Sequence, residues 1–123
     1  MYTLDTNALI YLIAGEKPVI DFVSHVLERG NVLTLPTICE AEFFSHTKLT
    51  TAEKRDFERT MPFVRSVPLD SDIARLAGTL RGTYHTPLID SVVAATALAV
   101  GATLLTRNIK DFKRIPELKV RRV

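Results

Sequence analysis

The sequence predicts one α/β domain over residues 1–123, a three-layer sandwich in which helices flank a central, mostly parallel sheet of four to five strands. Short apolar runs that suit buried strands alternate with longer segments whose apolar residues recur at helical spacing. Proline and glycine residues fall at the boundaries between these segments. With 123 residues, 46% of them hydrophobic, the chain can enclose one core.

The first half of the chain opens with a short apolar strand, Tyr2 to Asp5. Asp5 or Thr6 can cap a helix that runs to Ala14 and stops at Gly15. The pattern then predicts, in order, a helix from Pro18 to Gly30, a strand from Val32 to Leu35, a helix from Pro36 to about His46, and a charged helix from Thr50 or Thr51 to near Pro62.

The second half continues the alternation. Its pattern predicts first a strand from Ser66 to Leu69, then a helix capped by Asp70 and ended by Gly82, and then a helix capped by Thr86 that runs to Val100. A strand from Ala102 to Thr106, a short turn or helix near Lys110, and an edge strand from Leu118 to Arg121 follow. Alternating strands and helices favour a parallel sheet. Ligands of such sheets bind outside the carboxyl ends of the strands.

Composition narrows the functional classes. A single cysteine, Cys39, excludes an intramolecular disulfide and a cysteine-based zinc site, and it suits a reducing cytoplasm. No basic region precedes an apolar core at the N-terminus, so no secretory signal is expected. The apolar stretch from Leu88 to Thr106 is divided by Gly101 into a helix and a strand, which argues against a membrane span.

The formal net charge of +2 conceals an asymmetry. Residues 107–122 hold seven basic and two acidic side chains, a net charge of +5, whereas residues 1–106 hold nine basic and twelve acidic side chains, a net charge of −3. A basic segment of this kind attracts phosphates or an acidic partner. It equally suits a solubilising tail that protects an edge strand.

Several acidic residues stand in apolar or turn-forming surroundings, where an uncompensated charge is costly. Asp90 gives the clearest signal, because it shares a helix face with Val93, Ala94, Ala97 and Leu98. A helix dipole stabilises a surface acid at that position better than an inward one. Asp5 can be a helix cap or a ligand, and helical periodicity does not decide whether Glu40 or Glu42 points inward.

Asn108 and Asp111 follow the predicted strand that ends at Thr106, where they can make side-chain turns or reach a ligand. A divalent cation shared by several acids is a common compensation for such charges. No other catalytic arrangement competes. The remaining candidates have no metal-ligand spacing or lie in an apolar helix without a basic neighbour: His25, His46, His85 and Cys39.

The ordered motifs resemble those of PIN-domain ribonucleases, and more closely the VapC toxins of prokaryotic toxin–antitoxin pairs. The resemblance rests on Leu4-Asp5-Thr6-Asn7, on Pro36-Thr37-Ile38-Cys39-Glu40-Ala41-Glu42-Phe43, on Asp90 to Ala97 followed by Gly101, and on Leu104 to Phe112. It covers essentially the whole chain in the right order. In the second motif, the resemblance selects Glu42 over Glu40, since the family acid precedes a large apolar residue.

The resemblance implies a Mg²⁺- or Mn²⁺-dependent endoribonuclease with Asp5, Glu42 and Asp90 as metal ligands. The fourth family acid corresponds to Asn108, which lacks charge, so Asn108 and Asp111 are both candidates to complete the site. A cognate small antitoxin, an RNA substrate and a homodimer are the implied partners.

Charge adds a further expectation about RNA. The basic side chains that follow the last motif are candidates to hold the RNA backbone: Arg107, Lys110, Lys113 and Arg114.

Two rival classes of function remain. One is a non-catalytic RNA-binding or scaffold domain with an incomplete metal site, which Asn108 favours. The other is a phosphoacceptor receiver-like domain, which would need paired early acids and a late lysine that the sequence lacks.

Overall fold

A computed structural model describes all residues from 1 to 123. Its five strands are β1 (Tyr2–Leu4), β2 (Leu33–Pro36), β3 (Arg65–Val67), β4 (Thr103–Thr106) and β5 (Val120–Arg122). Its seven α-helices are α1 (Thr6–Ile13), α2 (Lys17–Glu28), α3 (Thr37–Phe44), α4 (Thr51–Thr60), α5 (Ser71–Tyr84), α6 (Leu88–Val100) and α7 (Ile109–Phe112). A 3-10 turn, Met61–Phe63, follows α4.

The strands form one sheet in the order β3-β2-β1-β4-β5, and every pairing is parallel. The predicted α/β fold with a parallel sheet is therefore confirmed. The chain extends the sheet from β1 through β2 to β3, and then returns to add β4 and β5 on the other side. The direction of winding thus reverses between β1 and β4, and this switch point is where open parallel sheets bind ligands.

The core lies on both faces of the three inner strands. Leu4, Leu35 and Leu104 are fully buried, and helix α6 is buried along Ser91–Ala97 without a break. A helix that is apolar on nearly all sides belongs inside a domain, against the sheet and a neighbouring helix. Here α6 packs against α5 and against three strands of the sheet. No helix of the chain combines the length and the apolar character needed to cross a bilayer.

Several helix ends differ from the sequence prediction, and α1 ends at Ile13 rather than Ala14 and α3 at Phe44 rather than about His46. Helix α5 continues past Gly82 to Tyr84, because His85 adopts the left-handed conformation (φ 58°) that ends the helix. Thr86 does not cap α6, since Pro87 occupies the cap position. The Thr86 hydroxyl instead forms a buried hydrogen bond of 2.6 Å with the hydroxyl of Ser91.

Strand boundaries differ by one or two residues. The first strand ends at Leu4 because Asp5 leaves the ladder to cap α1, where its carboxylate accepts a hydrogen bond from the Ala8 amide. The second strand includes Pro36, which serves also as the N-cap of α3. The two edge strands, β3 and β5, have three residues each, and short edge strands limit unwanted pairing with other chains.

Candidate active site

Asp5 lies at the carboxyl end of β1, directly at the switch point. Its amide donates to the Leu105 carbonyl at 3.3 Å, which keeps Asp5 beside β4. One carboxylate oxygen, Oδ1, accepts from the Ala8 amide at 2.7 Å, and Oδ2 accepts from the Thr106 hydroxyl. The residue is only 7% exposed. Burial raises the pKa of Asp5 most strongly, the hydrogen bonds from Thr106 and Ala8 lower it, and the charge of Glu42 raises it.

Glu42 is the acid of α3 that faces this site. Its carboxylate accepts a hydrogen bond from the hydroxyl of Thr6, the residue that follows Asp5. Glu40 points elsewhere, since its carboxylate accepts from the Ser66 hydroxyl of edge strand β3 at 2.9 Å. The structure therefore resolves the choice that helical periodicity left open, and it places Glu42 beside Asp5.

Asp90 lies in the first turn of α6 and is half-buried. Burial is the main cause that raises the pKa of Asp90, and the charges of Asp111, Asp5 and Glu42 raise it further. Each of these neighbours comes from a different element of the fold. Three carboxylates from separate elements therefore act on Asp90 and make its ionisation less favourable.

Asn108 and Asp111 approach the site from the segment that follows β4. The Asn108 amide N–H donates to the Thr106 hydroxyl oxygen at 2.9 Å, and its side-chain Nδ2 donates to Asp111 Oδ2 at 3.0 Å. Since the amide nitrogen is engaged by Asp111, the side-chain carbonyl oxygen is the group of Asn108 that remains for a ligand. The other oxygen of Asp111 lies 3.9 Å from the Arg114 guanidinium.

These elements enclose a cavity of about 290 Å³, called the acidic cavity below. It is lined by Asp5, Thr6, Asn7, Ile10, Glu42, Ser45, His46, Asp90, Val93, Asn108 and Phe112. Four of the five predicted site residues are therefore brought together in one lining. The fifth, Asp111, is held behind Asn108 through their hydrogen bond.

Four polar lining residues were not singled out as site residues from the sequence: Thr6, Asn7, Ser45 and His46. Thr6 holds the Glu42 carboxylate, and its position directly after Asp5 was the available signal. Ser45 and His46 come from the end of α3 and the connection after it. His46 lies beyond the end of α3, so its position depends on the path of the connection to α4, and helical spacing does not predict it.

The basic side chains near β4 differ in their surroundings. The Arg107 guanidinium pairs with Glu16, donates from Nε to the Val123 carbonyl at 2.7 Å, and lies 4.0 Å from the centre of the Tyr11 ring. These contacts join α1, the turn before α2 and the chain's last residue. Lys110, Lys113 and Arg114 are exposed on and after α7.

Cys39 is fully buried under the site. Burial raises the pKa of its thiol to about 12, so the reactive thiolate is absent at neutral pH. Cys39 is therefore a packing residue.

The donor set suits a hard divalent cation. The lining provides carboxylate, amide and hydroxyl oxygens, which Mg²⁺ and Mn²⁺ prefer over nitrogen and sulfur. No group of three or more histidine, cysteine, aspartate or glutamate side chains in the chain is arranged as a preformed metal site. The carboxylates therefore line one cavity without forming a closed cage.

Comparison with known proteins identifies the family. Residues 2–118 match the PIN domain. Ribonuclease VapC19 of Mycobacterium tuberculosis is 25% identical over 124 residues, which cover 97% of this chain and 98% of the relative. Ribonuclease VapC2 of Rickettsia felis is 27% identical over 126 residues, which cover 96% of this chain and 94% of the relative.

Solved structures agree with this match. A chain in a toxin–antitoxin complex from Klebsiella pneumoniae is 28% identical, with a TM-score of 0.78 over 96% of this chain and 95% of that chain. A chain of VapBC2 from Rickettsia felis, solved with a DNA fragment of its promoter, has a TM-score of 0.87 over 99% of this chain and 98% of that chain; at 24% identity it shows the fold. The chain belongs to the PIN-domain family, and along its whole length it is similar to the VapC ribonucleases of that family.

Proposed function

We propose that this protein is a metal-dependent endoribonuclease of the VapC type, the toxin of a toxin–antitoxin pair. One observation carries the proposal: Asp5, Glu42 and Asp90 come from three separate elements and line a single cavity at the switch point of the sheet. Relatives named ribonucleases that match along the full chain supply the reaction class.

Asp5 and Asp90 are the proposed direct metal ligands, and Glu42 ligates directly or through water. The raised pKa values of Asp5 and Asp90 fit this role, because clustered carboxylates gain most from a cation that offsets their repulsion. When bound, Mg²⁺ or Mn²⁺ supplies positive charge to the phosphodiester and lowers the pKa of water. Since no preformed cage exists, ion binding has to draw the carboxylates together.

The remaining side chains orient these acids. The Thr6 hydroxyl holds one oxygen of Glu42, and the Ala8 amide and the Thr106 hydroxyl each hold one oxygen of Asp5, so hydrogen bonds fix the orientation of both carboxylates. Glu42 is also the proposed general base, because it lines the acidic cavity with one of its carboxylate oxygens held by the Thr6 hydroxyl. Asn108 offers a neutral oxygen ligand, and Asp111 holds its amide in place.

RNA binding is proposed for the exposed basic side chains around α7. Lys110, Lys113 and Arg114 lie near Asn108 in sequence and are exposed to solvent, and Arg114 also lies 3.9 Å from Asp111. Arg107 has a competing role, because its guanidinium is engaged by Glu16 and Val123. Binding through Lys110, Lys113 and Arg114 should weaken as the salt concentration rises, since released counterions drive such association.

The proposed protein partners are a small antitoxin and a second copy of this chain. A toxin–antitoxin complex from Klebsiella pneumoniae contains a chain of similar sequence and fold, which supports the antitoxin. We place the protein in the cytoplasm, where its one free cysteine stays reduced.

The metal dependence of RNA cleavage tests the proposal. Purified protein treated with EDTA should lose cleavage of a single-stranded RNA, and Mn²⁺ or Mg²⁺ should restore it. An Asp90→Asn variant should stay inactive with either ion while it keeps its circular dichroism spectrum. The matched control is Asp72→Asn, an exposed acid in the first turn of α5, which should leave cleavage unchanged. Cleavage that survives thorough chelation would contradict the proposal.

A second function, RNA binding without catalysis, is favoured by one observation. Asn108 provides no charge where the family resemblance places an acid, and no preformed metal site exists. Calorimetric titration with Mn²⁺ separates the two functions. If the protein is a nuclease, Mn²⁺ should release or absorb heat on binding to the wild type, and Asp90→Asn should abolish this signal. If the protein only binds RNA, no Mn²⁺ binding should be detected at millimolar concentrations.

A further inference from the structure

A second cavity adjoins the acidic cavity. It has a volume of about 370 Å³ and forms where the connection between α3 and α4 passes α1. We call it the loop pocket; its lining is Ile10, Phe43, His46, Thr47, Lys48, Leu49 and Glu53. Ile10 and His46 line both cavities, so the loop pocket and the acidic cavity share a wall. The larger apolar cavity along α1 and α2 shares no residue with the acidic cavity.

The connection that forms the loop pocket is fixed at both ends. At its start, the Ser45 hydroxyl donates to the Glu42 carbonyl at 2.6 Å. At its end, Thr50 caps α4: its hydroxyl oxygen accepts from the Glu53 amide at 3.1 Å, and the same hydroxyl contacts the Glu53 carboxylate at 3.1 Å. Between them, the Leu49 amide donates to the His46 carbonyl at 3.3 Å. The pocket is therefore largely preformed, which lowers the entropy that a ligand must overcome.

The lining of the loop pocket divides into two chemical parts. Ile10, Phe43 and Leu49 provide an apolar wall, and the side chains of Thr47, Lys48 and Glu53 are polar and exposed. An unpaired nucleobase has the matching form, with apolar faces and hydrogen-bonding edges. A phosphate beside it would be repelled by the carboxylates of the acidic cavity, and it would be attracted by the Lys48 ammonium.

We propose that the loop pocket binds the unpaired nucleotide of an RNA strand that lies next to the scissile phosphate. Its base packs on the apolar wall, and Lys48 contacts its phosphate. His46, on the shared wall, lies between this nucleotide and the acidic cavity. The inference rests on the proposed ribonuclease function, and it requires the bound nucleotide to be unpaired, since a paired base cannot enter a pocket of this kind.

Crosslinking tests the location without requiring cleavage. The Asp90→Asn protein is mixed with single-stranded RNA that carries 4-thiouridine and is irradiated, and crosslinked peptides are identified by mass spectrometry. We expect crosslinks within residues 43–53. Crosslinks confined to α7 and the C-terminal segment, or their absence from residues 43–53, would overturn the proposal.

Two lysine variants in the same Asp90→Asn background test the phosphate contact. Lys48→Ala and Lys54→Ala remove the same charge from exposed positions, but only Lys48 lines the loop pocket. Lys48→Ala should raise the Kd for a short unstructured RNA and reduce the slope of log Kd against log salt by about 0.7, the value for one phosphate on a single strand. Equal effects of the two variants would overturn the phosphate contact.

The two proposals fail in different ways. If crosslinks form in the loop pocket but the wild-type protein shows no metal-dependent cleavage, the nuclease proposal is wrong and the RNA-binding pocket is supported. Cleavage without these crosslinks, and with equal behaviour of the two lysine variants, would keep the nuclease and remove the subsite.

Discussion

The Thr106 hydroxyl donates a hydrogen bond to the Asp5 carboxylate, across 101 positions of sequence, and thereby joins the ends of β4 and β1 at the switch point. The same hydroxyl oxygen accepts the Asn108 amide N–H at 2.9 Å. Thr106 is fully buried, so water cannot replace either bond. One hydroxyl therefore positions a proposed metal ligand and the start of the segment that carries Asn108 and Asp111.

Thr106→Val should destabilise the fold by about 1–3 kcal/mol, because it keeps the side-chain shape but leaves a buried carboxylate oxygen and a backbone N–H without their partner. It should also raise the pKa of Asp5 further, since the lost hydrogen bond lowers that pKa. Urea denaturation measures the stability.

Thr96→Val is the matched control for that loss of stability. Thr96 is equally buried, but its hydroxyl donates to the Val92 carbonyl of its own helix, far from any carboxylate. Its removal should cost less than about 1 kcal/mol, since bonds of this type add little to helix stability. Equal losses in the two variants would show that the hydroxyl of Thr106 has no special role.

Metal-free stability should depend on pH through Asp90. The folded pKa of Asp90 lies above its ordinary value of 3.8, so the folded state holds this proton more tightly than the unfolded state. The stabilisation that the protonated Asp90 contributes to the folded state is fully present below pH 3.8. It is lost as the pH rises through the pKa of Asp90 in the folded protein. In EDTA, the wild type should therefore lose stability relative to Asp90→Asn as the pH rises from 3.8 towards neutral.

Thermal unfolding of the wild type and of Asp90→Asn over a pH series checks this prediction. All other acids are present in both proteins, so the difference between the two curves reports Asp90 together with its coupling to Asp5, Glu42 and Asp111. Added Mn²⁺ should restore the wild type near neutral pH and leave the variant unchanged. If the difference in stability between the wild type and Asp90→Asn does not change with pH, burial and repulsion do not raise the pKa of Asp90.

Asn108→Asp should tighten Mn²⁺ binding, roughly tenfold in Kd, because it adds a charged oxygen to the ligand set. The same change should destabilise the metal-free protein, since the new carboxylate would face Asp111, whose oxygen now accepts from the Asn108 amide. Calorimetry measures the affinity and urea denaturation the stability. Unchanged affinity would place residue 108 outside the ligand set.

His85→Gly should stabilise the fold by about 1 kcal/mol, because His85 has a left-handed conformation (φ 58°) that costs a residue with a Cβ about that much. Gly101→Ala is the reciprocal test at the end of α6, where φ is 69° and a Cβ would meet nothing within 4 Å. It should destabilise by a similar amount. If both substitutions stabilise the fold, or both destabilise it, the left-handed backbone conformation does not explain their effects.

The order of elements could be predicted from the sequence, because capping residues and apolar periodicity are local signals. Asp70 caps α5 as expected, through the Ile73 amide at 2.9 Å. The end of α5 could not be predicted, since Gly82 takes ordinary helical angles and the left-handed position falls on His85. The role of Thr86 was equally hidden, because its hydroxyl is satisfied by Ser91 through tertiary packing.

The site was predictable only in part. Parallel strands bring their carboxyl ends to one edge, so Asp5 and the residues after Thr106 were expected to meet. The direction of Glu42 depends on the packing of α3, which is apolar on most sides and has no periodic face to reveal it. The loop pocket depends on the path of residues 45–50 over Ile10, which is a tertiary feature without a sequence pattern.

The most direct test of the account is a crystal of the protein soaked in Mn²⁺, with anomalous scattering used to locate the ions. The account predicts a peak within coordinating distance of carboxylate oxygens of Asp5 and Asp90, and no such peak in Asp90→Asn. Well-ordered crystals with no peak in the acidic cavity at saturating Mn²⁺, or with a peak that the variant retains, would contradict it.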